Sequence, residues 1–156
     1  MSDKPAPIIF VDADACPVKD EALRVAERHG FVLHFVSNSW MRLPESPVVR
    51  RTVVSDGPDA ADDWIDANIG ARDIAVTADI PLAARCLKKG AQVVGPTGKP
   101  FTEHGIGMAL AMRELSAHLR ETGESKGYNA AFTRQDRSRF LEALEQAVQK
   151  ALRKPA

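Results

Sequence analysis

Five runs of strand length, IIFV (residues 8–11), FVLHFV (31–36), VVRRTVV (48–54), IAVT (74–77) and AQVV (91–94), fall in the first two-thirds of the chain, and three of the gaps between them hold a helix-length amphipathic stretch. This alternation is the strongest constraint on the fold. A strand, a crossover helix and a second strand in one sheet make a parallel pair with the helix packed on one face. The expected class is α/β: a single three-layer domain with a mainly parallel sheet of about five strands. IIFV is apolar without interruption and rich in β-branched side chains, so it reads as a central strand buried on both faces. The first helix is expected to start at Pro17, present Val18, Ala22, Val25 and Ala26 to the core, and close at Gly30. Asp59 is the expected N-cap of a short helix over 60–69, and a further helix runs from Asp79 to residue 88 or 89. Two prolines make 40–47 a loop, and the turn at 56–58 ends the third strand. Residues 95–101 read as a Gly/Pro-rich loop. The remainder, about 102–156, is helical: one helix over 102–121, a flexible connection over 123–131, and a last helix over 134–152 opened by Thr133 and Asp136.

Composition narrows the class further. With 44% hydrophobic and 27% charged residues the 156-residue chain is an ordinary globular domain, neither disordered nor disulfide-stapled. Cys16 and Cys86 are too few for a four-cysteine zinc site, and a reducing cytoplasm is the expected location. The first apolar run is far shorter than the ~20 residues of a membrane span, and no basic segment precedes it to suggest a signal peptide. The net charge of zero hides an asymmetry: residues 1–84 carry 8 Lys/Arg against 14 Asp/Glu, and residues 85–156 carry 13 against 7. An acidic half holding a metal and a basic half facing an anionic substrate would produce this split; two ordinary solvated faces would as well.

In an open parallel sheet, ligands bind at the carboxyl ends of the strands. Asp12 and Asp14 follow the first strand, and Asp79 follows the fourth. Asp59, Asp62 and Asp63 open a helix that starts near the same edge. Converging carboxylates need raised pKa values, basic partners or a bound cation. The oxygen-rich set favours Mg²⁺ or Mn²⁺. Capping and solvation are the plain alternatives for Asp14, Asp59, Asp62 and Asp63. Ser37, Asn38, Ser39 and Thr77 lie at strand ends, where they serve turns or orient a phosphate. No Walker loop or GxGxxG is present, and the four histidines show no metal-ligand spacing.

The runs DADACP (12–17), VSNS (36–39), DAADDWI (59–65) and TADIPLA (77–83), with LAMR (110–113) and DRSRF (136–140), resemble the YaiI/YqxD family of uncharacterised bacterial proteins over nearly the whole chain. That family resembles the PIN-like nucleases. The resemblance implies a PIN-like fold and Mg²⁺ or Mn²⁺ held by Asp12, Asp62 or Asp63, and Asp79, with Asp14 and Asp59 as additions. The leading expectation is then metal-dependent phosphodiester hydrolysis of RNA, catalysed by Asp12, Asp14, Asp62, Asp63 and Asp79. Arg42, Arg50, Arg51, Lys99 and Arg113 are the candidate phosphate contacts. Two alternatives stand beside it. IIFVDADAC also resembles the haloacid-dehalogenase phosphatase motif, with Asp12 as nucleophile and Asp14 as acid/base. The third reading is a non-catalytic module that binds RNA or a partner around a relic metal site.

Overall fold

The unbroken apolar run forms β1 (Ile9–Asp12), and it lies inside the sheet with a parallel neighbour on each side. In this computed structural model, which describes residues 6–55, 57, 59–122 and 132–154, the elements follow in the expected order. They are α1 (Lys19–His29), β2 (Leu33–Ser37), β3 (Val49–Val53), α2 (Ala60–Asn68), β4 (Ile74–Val76), α3 (Ile80–Lys88), β5 (Gln92–Val94), β6 (Pro100–Phe101), α4 (Glu103–Thr122) and α5 (Arg134–Arg153). The sheet order is β3-β2-β1-β4-β5-β6, parallel except for β6. The connection at 123–131 and two residues of the turn at 56–58 lie outside the described residues.

Side chains alternate across the sheet with the period of two that strands impose. Ile9, Val11, Leu33, Phe35, Ile74 and Val76 meet α1 and α5, whose Val25, Phe140, Leu144 and Val148 complete that core. Phe10, Val36, Ala75 and Val93 meet α2 and α3 through Ala61, Ile65, Leu82 and Cys86. The result is a three-layer α/β domain with α4 packed against α3. No helix among the described residues is long and apolar enough to cross a membrane.

Two boundaries differ from expectation. Pro17 does not open α1: a 3-10 turn at Ala13–Ala15 and an extended Cys16 intervene, and the helix starts at Lys19. The stretch expected to be a loop after β5 contains β6, which pairs antiparallel through Val93–Phe101 and Val94–Pro100. Gly98 makes this hairpin possible, with φ +87° and the backbone of Arg139 directly against it. The last helix opens as expected: Thr133 accepts from Asp136 N–H while the Asp136 carboxylate accepts from Thr133 N–H.

Candidate functional site

The topology delivers the acidic strand ends to one edge. Asp12 ends β1, and its Oδ2 accepts from the Thr77 hydroxyl at 2.9 Å. Thr77, buried just past β4, also accepts the Asp79 N–H at 3.0 Å. Asp79 caps α3, its Oδ1 accepting from Leu82 N–H at 2.8 Å. Burial pushes the Asp12 carboxyl up, the Thr77 hydrogen bond opposes this, and the charges of Asp14 and Asp79 add to the rise. Asp62, in the first turn of α2, is pushed up to about 6 by burial and then by the charges of Asp79, Asp12 and Asp59. Asp12, Asp62 and Asp79 are thus electrostatic neighbours. Asp59 caps α2 by position only, without a side-chain hydrogen bond.

These carboxylates do not make a metal site. Among the described residues, no group of three or more His, Cys, Asp or Glu side chains is placed to hold a metal ion. The reason is local. Asp79 spends an oxygen on its helix cap and Asp12 one on Thr77. Both oxygens of Asp14 face the Asn38 N–H, at 2.9 and 3.2 Å. Asp63 turns outward to Arg85, which also grips Asp66. The expected Mg²⁺ or Mn²⁺ site is therefore overturned, and with it the metal-dependent nuclease and hydrolase expectation. For the phosphatase alternative, the segment after Asp12 is short: the chain passes through a single 3-10 turn and enters α1 at Lys19.

The other candidates divide by location. Ser37, Asn38 and Ser39 act at the root of the loop after β2: Asp14 holds Asn38 N–H, and the buried Ser37 hydroxyl donates to Ser39 C=O at 2.7 Å. That loop leads to β3, the sheet's edge strand, which carries Arg50 and Arg51. Arg42, Arg50 and Arg51 come together around a cleft of about 1300 Å³, with Lys19 at the start of α1. Lys99 and Arg113 do not join them. Lys99 lies in the β5–β6 hairpin, beyond the opposite edge, and Arg113 is on α4.

The cleft also holds residues that the sequence reading passed over. Trp40 is 70% exposed, and the Arg51 guanidinium sits 5.0 Å from its ring centroid. Lys19, Asp20 and Glu45 line the same groove. The available signal was an aromatic residue stranded in a polar, proline-containing loop two positions before an arginine.

The family model described as "Uncharacterized BCR, YaiI/YqxD family" matches residues 10–150. Similar proteins include a UPF0178 protein of Mesorhizobium japonicum, 61% identical over 96% of this chain and 96% of its own length. A UPF0178 protein of Parvibaculum lavamentivorans is 60% identical over 94% of this chain and 97% of its own, and one of Rhizobium meliloti is 61% identical over 94% and 100%. No solved structure matches the chain.

Proposed function

We propose that this chain, which belongs to the YaiI/YqxD family of bacterial proteins, is a non-catalytic binding module whose partner is RNA. One observation carries the reading: Lys19, Arg42, Arg50 and Arg51 gather on one cleft, where they outnumber its two carboxylates, Asp20 and Glu45. Four arginines elsewhere are held in ion pairs. Arg28 meets Glu145, Arg85 meets Asp63 and Asp66, Arg137 meets Glu21, and Arg139 meets Asp136. Among the described residues, no ion pair joins Arg42, Arg50 or Arg51 to a carboxylate. Arg50 donates to Pro47 and Val49 carbonyls and Arg51 to the Met41 carbonyl, which fixes each guanidinium and leaves further N–H groups for a ligand. A concave surface lined by such cations attracts a polyanion, and displaced counterions supply the affinity.

The charge asymmetry along the chain then reads differently from the expectation. The cations of the cleft belong to the acidic half, at the sheet edge formed by β3, while carboxylates concentrate at the strand ends and repel phosphate from there. The PIN-like resemblance enters this reading as a matter of architecture alone, supported by a mostly parallel sheet between helices with Asp12 and Asp79 at strand ends. The cytoplasm is the location that suits two buried, unpaired thiols.

The test is fluorescence anisotropy of a labelled RNA of about 12 nucleotides across a salt series. Binding should weaken with salt, and Arg42→Ala or Arg50→Ala should each lower the logarithmic salt slope by about 0.7. The RNA should be recovered at full length. Absence of salt-dependent binding, or shortened RNA, would overturn the proposal.

A further inference from the structure

Trp40 and Arg51 together form a pre-built stacking surface. The guanidinium covers one face of the indole at 5.0 Å and donates to the Met41 carbonyl at 2.7 Å, which ties down the backbone next to the ring. The loop is fixed again at its root by Asp14 and Ser37. An indole that is 70% exposed with a cation on one face keeps the opposite face open to solvent. Holding a large apolar ring in water returns little to the free domain beyond the cation–π contact, because an exposed tryptophan forgoes the burial that ordinarily stabilises it. The cleft that Trp40 lines is lined as well by Lys19, Arg42 and Arg50, and by the carboxylates Asp20 and Glu45.

We infer that this cleft takes single-stranded RNA, with one unpaired base stacked on the free face of Trp40 and the flanking phosphates on Lys19, Arg42 and Arg50; the inference rests on the RNA-binding reading above and specifies its ligand. Duplex RNA cannot serve, because its bases are stacked on one another and offer no open face to a side chain. Stacking on an aromatic ring is tolerant of base identity, so the site selects strandedness over sequence. The sugar is recognised too. A carboxylate in a phosphate-binding cleft is repulsive unless it meets a donor, and the ribose 2′-hydroxyl is the donor that a single strand of RNA brings and DNA lacks. Glu45, which lines the cleft together with Asp20, is the acceptor assigned to it.

The experiment compares oligouridylate, a duplex RNA of equal length and oligodeoxyuridylate, binding to the full chain and to Trp40→Ala and Trp40→Phe variants. Circular dichroism checks that the variants fold, which the exposed position of Trp40 favours. Oligouridylate should bind wild type more tightly than either competitor. Trp40→Ala should weaken it roughly 5- to 150-fold, Trp40→Phe should restore most of the loss, and weak duplex binding should not change. Equal affinity of oligouridylate for wild type and Trp40→Ala would overturn the stacking site while leaving the RNA-binding reading intact. Equal binding of the deoxy strand would overturn the sugar assignment. Failure of wild type to bind any of the three would instead overturn the reading underneath.

Discussion

Thr77 donates its hydroxyl to Asp12 Oδ2 across 65 residues of sequence, joining the ends of two adjacent parallel strands. The Thr77 Oγ1 also accepts the Asp79 N–H, so one buried hydroxyl satisfies a carboxylate and a backbone donor together. Replacing it with Thr77→Val keeps the shape and removes both bonds. The expected cost is about 1–3 kcal/mol of stability. Since the hydrogen bond favours ionised Asp12, the loss should be greater at alkaline than at acidic pH. Urea denaturation at both pH values measures it, and an unchanged midpoint would contradict the role.

Asp62 gives a second pH signature. Its folded-state pKa of about 6 lies above the ordinary 3.8, so the folded chain holds the proton more tightly than the unfolded one. Stability from this group is present at low pH, declines as pH rises from about 4 to about 6, and stays lost above that. Asp62→Asn removes the repelled charge. Its melting temperature should exceed wild type by roughly 2–4 °C at slightly alkaline pH, with the two converging at pH values where Asp62 is protonated. Parallel stability curves would sink this account.

Gly98 is fixed by a neighbour as well as by its own backbone. A Cβ there would lie 2.5–2.7 Å from backbone and Cβ atoms of Arg139, at a φ of +87°. Gly98→Ala should therefore cost about 2–4 kcal/mol, because either the hairpin or α5 must retreat. Chemical denaturation reads the cost, and a neutral substitution would show that the contact yields freely.

Asp14 is predicted to act on binding through the loop it anchors. Asp14→Ala should leave the melting temperature nearly unchanged, since the side chain is exposed, yet free the Asn38 N–H and the loop beyond. RNA affinity should fall about 5-fold, and protease cleavage within residues 38–48 should become faster. Loss of affinity without faster cleavage would point to a direct contact instead.

Much of the fold was legible because periodicity reports burial. The uninterrupted IIFV marks a strand covered on both sides, and Gly30 marks the end of α1 with a φ of +70°. β6 escaped because a two-residue antiparallel pair is too short to show a period. The start of α1 was misplaced because Pro17 suits a helix N-terminus, while the 3-10 turn before it depends on how β1 leaves the sheet. The convergence of Asp12, Asp62 and Asp79 followed from the strand-end rule. Whether they could share an ion did not, because it depended on partners far away in sequence, such as Arg85 for Asp63 and Thr77 for Asp12. The Trp40–Arg51 pair was equally hidden: it forms only when the loop folds back beside β3.

β3 closes the sheet on one side, and among the described residues no strand pairs with its outer edge. Such a border invites another chain to continue the sheet, and charged side chains are a common deterrent. Arg50 and Arg51 occupy adjacent positions on this border, so two copies brought edge to edge would meet like charges. A polyanion lying along the cleft would neutralise that repulsion. The ligand that the arginines attract would thereby disarm the guard they provide, and chains held close on one strand would meet with their borders unprotected.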